Sequence, residues 1–361
     1  MNARPTAAEA SIADVATMRA ARVDRFGPPD VAHVARMPRP EPAAGELLVR
    51  VHASTVSIAD HRMRSREVPR GLGLVVGPAI GFVRPRHRVL GMEAAGVVAA
   101  VGEGVTAYAP GDEVIVMRGS AFGCHAEFVT VAADGEVARK PANLSFEDAA
   151  AVVFGGYTAV RFLDRVEIGP STEVLVNGAS GAVGSAVVQL AAARGAHVTA
   201  VTSGRNAELV RSLGAHRVID YTAEDFAVVA GDAAAEAGAG GAADAGARYD
   251  VIVDAVGNAP FARVAHLLRP GGALLLVVAD LAGMLGAAWH ARRTGLVVDH
   301  QGGDMGAEGM ARLAALAEAG TLRPVVDRTY DLDEIVEAHR YVDTGRKRGS
   351  VVLRVFEDDR G

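Results

Sequence analysis

Between Arg22 and Lys140 apolar and polar residues alternate in short runs, "ELLVRVHA", "AAGVVAAVG", "DEVIVM" and "HAEFVTV", broken by Gly, Pro and Asp turns. A period of two residues marks a half-buried strand, so this region predicts a compact, mostly-β domain. The alternation begins at Met18 with "MRAARVDRF"; residues 1–17, small and polar, predict a loose, flexible extension. At "KPANLSFEDAAAVV" the period changes: Asn143 or Ser145 can cap a helix whose first turn carries Glu147 and Asp148. Beyond it "TEVLVNG", "GSAVVQLAAARG", "HVTAVT", "NAELVRSLG", "RVIDY", "YDVIVDAVG", "FARVAHLLRPGG" and "ALLLVV" alternate strand with helix. That alternation predicts an α/β domain over 143–321, a doubly wound parallel sheet covered on both faces. Residues 230–247, only Ala, Gly, Asp and Glu, predict a surface loop with no functional role. The tail from Leu322 returns to strand, helix and strand, and is expected to rejoin the domain of residues 18–142.

Two domains suit a chain of 361 residues, half of them apolar. A formal net charge of −6, with no block of Lys and Arg, offers no basic field for nucleic acid or an anionic membrane. The longest apolar run, Gly271–Trp289, is interrupted by Asp280 and several glycines, and reads as a buried strand and a short helix rather than a bilayer span. No secretory leader is visible, so a cytoplasmic location is expected. One cysteine, Cys124, excludes an internal disulfide and any metal site built from several thiolates.

"VLVNGASGAVGSAVVQLA" sets Gly178, Gly181 and Gly184 between a strand and a helix. A dinucleotide site needs small residues there, because the backbone turns sharply, approaches a diphosphate and lets the helix sit near the strand. The next strand ends in "VTAVTSGRN". An NAD site usually has an acidic residue at this point, roughly 20 residues past the glycines, to grip the ribose. None stands here; Ser203, Gly204 and Arg205 suit a 2′-phosphate instead, which favours NADPH over NADH.

These features, with "RFGPPDVAHV", "ASTVSIAD", "VLGMEAAGVVAAVGEGV", "PGDEV", "KPANLSFEDAAAVVFGGYTA", "ELVRSLGAHRVIDY", "DVIVDAVG", "LRPGG" and "GRKRGSVVL" in order from Met18 to Val355, resemble the medium-chain dehydrogenase/reductase superfamily, zinc-free quinone oxidoreductase-like branch. The resemblance implies a GroES-like catalytic domain built from both chain ends (18–142 and 322–361) and a Rossmann domain between them. It further implies that Ser180, Gly181, Ala182 and Val183 lie on the diphosphate, with Ser203, Arg205 and Tyr221 about the 2′-phosphate. Val256 and Gly257 would line the far side of the coenzyme, and Thr158 would stand near the nicotinamide. Each has a plainer alternative: Tyr221 can close a strand, and Gly257 can form a turn.

Zinc-dependent members of the superfamily hold their metal with a cysteine in the segment matching "TVSIAD" and a histidine in the one matching "VLGMEAAG"; here those positions are Ser57 and Met92. A thioether and a hydroxyl are poor zinc ligands, so no catalytic zinc is expected. Met92 then becomes an apolar wall, Glu93 a buried structural partner, and His125 a turn histidine. Without a metal, a ketone lacks the Lewis acid that its alkoxide needs. A quinone or α,β-unsaturated carbonyl spreads the charge itself, so positioning and hydrogen bonds suffice. The expected activity is hydride transfer from NADPH to such a small apolar substrate. Ser57, Asp60 and Tyr157 are the candidate contacts, with Tyr157 a possible proton donor and Asp60 either touching substrate or fixing a loop.

Two apolar segments, Gly71–Pro85 and Asp280–Gly295, are expected to fold over the cleft, or one of them to enter a homodimer contact. Two rival readings stay open: a zinc-free NADP-dependent alcohol or carbonyl dehydrogenase, and a non-catalytic NADPH-binding sensor or partner protein.

Overall fold

The computed structural model describes residues 16–68, 71–73, 76–230, 249–303 and 305–356. The expected extension and the Ala/Gly loop fall almost wholly outside the described residues. Among the described residues fifteen strands form three sheets. β1 (Thr17–Val23) and β2 (Ala32–Pro38) make an antiparallel pair.

The larger sheet runs β14-β15-β3-β4-β5-β7, with β6 also paired to β3. Its strands are β3 (Glu46–Val56), β4 (Glu93–Val101), β5 (Glu113–Met117), β6 (Phe128–Ala132), β7 (Val137–Arg139), β14 (Val326–Asp331) and β15 (Ser350–Arg354). The tail therefore does rejoin the first region, β15 lying antiparallel to β3 with Val351 opposite Val56. The alternation of "ELLVRVHA" follows from this: Leu47, Val49 and Val51 enter the core with β15's Val351 and Leu353.

The second sheet is six-stranded and parallel, in the order β10-β9-β8-β11-β12-β13. Its members are β8 (Glu173–Asn177), β9 (His197–Thr202), β10 (Arg217–Asp220), β11 (Tyr249–Asp254), β12 (Leu268–Leu276) and β13 (Val297–Asp299). Strand order reverses beside β8, and such a switch point opens a crevice at the carboxyl ends of the strands. Near-continuous apolar runs such as "VLV" and "VIV" belong to strands buried on both faces.

The helices, in chain order, are α1 (Ile58–Ser65), α2 (Gly77–Ile80), α3 (Phe146–Leu163), α4 (Ala182–Ala193), α5 (Ala207–Ser212), α6 (Phe261–Val264), α7 (Leu281–Thr294), α8 (Gly306–Glu318) and α9 (Ile335–Asp343). Ser145 rather than Asn143 caps α3, its Oγ accepting from Asp148 N at 3.0 Å. α3 packs on both α4 and the larger sheet. A Cβ at Gly155 would lie 2.3 Å from the Ala182 carbonyl, so only glycine lets α3 approach the start of α4 this closely. No helix among the described residues is long and apolar enough to cross a membrane.

Candidate active site

The glycine turn after β8 fits a dinucleotide on steric grounds. Gly178 has φ +81°, and a Cβ there would meet Val256 Cγ2 at 2.6 Å. A Cβ on Gly184 would sit 2.2 Å from the Gly178 carbonyl, so the helix rests on the turn itself. Above Gly181, by contrast, a Cβ would meet only the Gly178 carbonyl, at 3.4 Å. α4 starts at Ala182 with Gly181 as its N-cap and no side-chain cap, which leaves the N–H groups of Ala182, Val183 and Gly184 for an anion. These residues would hold a diphosphate.

Ser180 is held in place from the next strand: its Oγ accepts from Thr202 Oγ1 (2.8 Å) and Asn206 Nδ2 (3.0 Å), and Asn206 also donates to Ser203 Oγ (3.2 Å). Tyr221, 59% exposed, follows β10 and donates its N–H to the Thr202 carbonyl at 3.2 Å. Ser203, Arg205 and Tyr221 thus share one sheet end. The expectation that no carboxylate stands there is corrected by the neighbouring strand. Asp220 ends β10 with its Oδ2 2.3 Å from where a Gly204 Cβ would be. Thr222, through its hydroxyl and its N–H, and then the Gly204 N–H, hold this carboxyl below the usual range.

Across the crevice, buried Asp254 shapes "DAVG". Its Oδ1 accepts from Val256 N and Gly257 N, both at 3.0 Å, and from Asn177 Nδ2 at 2.8 Å; its Oδ2 accepts from Ala259 N at 2.9 Å. Val256 is left 49% exposed over the glycine turn, and Gly257, at φ +91°, lies against Val278. Thr158 is half-buried on α3, three residues past Gly155 and so on the face of α3 that meets α4.

At the other wall the candidate substrate contacts are engaged elsewhere. Ser57 caps α1: its Oγ accepts from Ala59 N and Asp60 N and donates to Asp60 Oδ2 at 2.7 Å, while Ser57 N donates to the same oxygen at 2.7 Å. Asp60 Oδ1 accepts from Gly91 N at 2.8 Å. Both residues are buried, and together they fasten the segment carrying Met92. Of the two roles considered for Asp60, loop fixing is the one the geometry displays. Tyr157 is also corrected as a proton donor, since it is 5% exposed and its hydroxyl donates to Glu136. His125 is buried, with Nε2 2.9 Å from the Thr55 carbonyl. Burial pushes the Cys124 thiol up, away from reactivity.

Met92 is half-buried and packs against the cores on both sides. Glu93 is fully buried; Thr55 Oγ1 donates to its Oε1, whereas Oε2 has no partner. Burial raises its carboxyl to about 8, with the Asp60 charge adding and Thr55 and Lys347 opposing. The donor chemistry does not suit zinc: Ser57 is committed to its cap and Met92 offers a thioether. Among the described residues no three His, Cys, Asp or Glu side chains group as a metal site.

A segment given no role in the sequence reading completes the cleft. In "GRKRG", Gly349 N donates to the Ser180 carbonyl at 2.7 Å, Gly181 and Gly349 form a parallel bridge, and Ser350 Oγ donates to Ala151 O at 2.9 Å. Arg205 donates to the Arg346 carbonyl at 3.2 Å, which brings the backbone of a second arginine beside it. Three consecutive basic residues just before a strand were the available signal. The two apolar segments do meet: a Cβ on Gly71 would lie 2.8 Å from Leu281 Cβ, beside an open pocket of about 480 Å³ lined by Arg66, Val68, Gly71 and Gly73.

Comparison with known proteins identifies the family. Residues 43–145 match the family "Alcohol dehydrogenase GroES-like domain" and residues 213–353 match "Zinc-binding dehydrogenase". The chain is 31% identical over 341 residues to the mitochondrial NAD(P)H oxidoreductase RTN4IP1 of Mus musculus, covering 86% of this chain and 82% of that one. It is 29% identical over 355 residues to the 2-methylene-furan-3-one reductase of Solanum lycopersicum, covering 95% and 80%. The solved Escherichia coli quinone oxidoreductase complexed with NADPH superposes with a TM-score of 0.76 at 25% identity, covering 93% of this chain and all of that one. The chain belongs to the medium-chain dehydrogenase/reductase superfamily, in its quinone oxidoreductase-like branch, and is an oxidoreductase with GroES-like and Rossmann-like parts.

Proposed function

We propose that the protein is a zinc-independent, NADPH-dependent reductase of quinones or α,β-unsaturated carbonyls. One observation carries the reading: the glycine turn leaves backbone donors open to a dinucleotide, while the opposite wall offers a thioether and a committed serine where a metal would need ligands. When bound, the coenzyme supplies hydride. The chain's own residues position the acceptor against it, exclude water with Met92, Val256 and the apolar segments, and leave charge to be delocalised within the acceptor.

Choice of NADPH rests on Ser203, Arg205, Arg346 and Tyr221 at the sheet end, with Asp220 as the opposing influence. That carboxylate is occupied by hydrogen bonds from Thr222 and the Gly204 N–H. A homodimer through the open edge strand β13, where Val297 is 41% exposed, and a cytoplasmic location complete the proposal.

The test is a stopped-flow survey of NADPH and NADH oxidation against menadione, enones and plain ketones, with and without a chelator. Reduction of quinone or enone by NADPH, indifferent to chelator, is the expected result. Turnover of ketones or alcohols alone, loss of activity in chelator, or tight NADPH binding without oxidation of any acceptor each points to a rival reading and overturns this one.

A further inference from the structure

Lys347 occupies a singular position between the two walls. Its Nζ donates to the Gly349 carbonyl at 2.6 Å, and the N–H of that same glycine is fastened to Ser180, the residue that opens the diphosphate loop. An ammonium has three donors, and among the described residues this is its one recorded hydrogen bond. Lys347 precedes β15 and Glu93 begins β4, the two strands that flank β3, and the charge of each acts on the other. Val351 of β15 lies opposite Val56 of β3, and Ser54 of β3 opposite Ala94 of β4, so the residues before β15 and at the start of β4 converge on the same end of the sheet. There the Glu93 carboxyl is fully buried with Oε2 unpartnered.

We propose that Lys347 binds the coenzyme diphosphate and that coenzyme binding draws a proton from solvent onto the lysine. The inference rests on the coenzyme reading above. Burial lowers the Lys347 amine to about 8, against the opposing charges of Glu93, Asp327 and Asp60. Glu93 faces Thr55, Asp60 and Lys347; Cys124, with its thiol protonated, borders Glu93 and feels the charge of Arg118, and His125 is bonded to Thr55. Asp327 is itself engaged by Tyr341 and by Arg348.

The sign follows directly. Below pH 8 Lys347 already carries its proton, and binding takes up little. Above it the free protein holds a neutral amine; a diphosphate raises the amine's affinity for a proton, one N–H bond forms at Nζ, and the proton comes from buffer. Coenzyme affinity therefore falls as pH rises through 8.

The test is calorimetric titration of the full chain with NADPH and with NADH, which share the diphosphate but not the 2′-phosphate, in buffers of different ionisation heat. Proton uptake should be small near pH 7 and approach about one near pH 9 with either dinucleotide. Lys347→Arg, always charged, should bind with near-unchanged affinity at both pH values and take up no proton. Lys347→Gln should bind roughly tenfold more weakly near pH 7, also without uptake. Binding without uptake near pH 9 in the unaltered protein, or uptake surviving in Lys347→Arg, overturns the inference and leaves the coenzyme reading intact. Absence of binding by both dinucleotides near pH 7 overturns both.

Discussion

At the glycine turn the first N–H groups of α4 stay uncapped and Gly181 has open space above it; at the Ser57–Met92 wall, both the oxygens of Asp60 and the hydroxyl of Ser57 are spent on the protein itself. The first surface keeps its polar capacity for something absent from the chain, and the second has closed on itself. Open donors at a helix start mark a place where a ligand completes the structure, whereas a satisfied network resembles a core. The difference separates the residues proposed to hold coenzyme from those that hold the fold.

Substitutions can break or sharpen this contrast. Asp60→Ala should be the most damaging, costing about 3 kcal/mol by leaving the buried N–H groups of Ser57 and Gly91 unpaired; a denaturant melt should show this, and a large loss of coenzyme affinity in protein that remains folded would contradict it. Glu93→Gln should act the other way. Its folded-state value lies near 8, above the ordinary 4.5, so the native protein keeps a proton that the unfolded chain releases, and stability drops as pH rises across that interval. The glutamine variant should lack that fall, visible in melts at a series of pH values.

Arg205→Glu probes the open side. NADPH affinity should fall roughly 10- to 100-fold while NADH affinity changes little and the melting temperature stays put; fluorescence titration reads both, and equal losses for the two coenzymes would remove the 2′-phosphate assignment. Tyr157→Phe should have the smallest effect, about 1 kcal/mol of stability from the Glu136 bond, with kcat for any accepted quinone unchanged. A strong loss of kcat alone would restore the tyrosine as a proton donor.

How far the sequence could be read depended on the distance over which a signal acts. Periodicity is local, so the parallel sheet, the glycine turn and the return of the tail to the first region were all legible. "SIAD" also carried its meaning openly: Ser followed three residues later by an acid is a capping box, and that signal could have assigned Ser57 and Asp60 to the start of α1. Asp220 was misjudged because its carboxylate reaches Gly204 sideways between β10 and β9, a lateral neighbour that counting along the chain does not show. The contact of Gly349 with Ser180 spans more than half of the Rossmann-like part and follows only from the antiparallel placing of β15 on β3. Tyr157 could not be judged either, because its hydroxyl partner, Glu136, lies on the approach to β7.

That link between Gly349 and Ser180 also bears on how the molecule is made. The glycine turn emerges from the ribosome before the strand that clamps it, so a nascent chain holds an unfinished cleft beside an unpaired edge of β3. Shortening the polypeptide ahead of β15 would leave a turn of the right shape with nothing to lock it against the catalytic sheet.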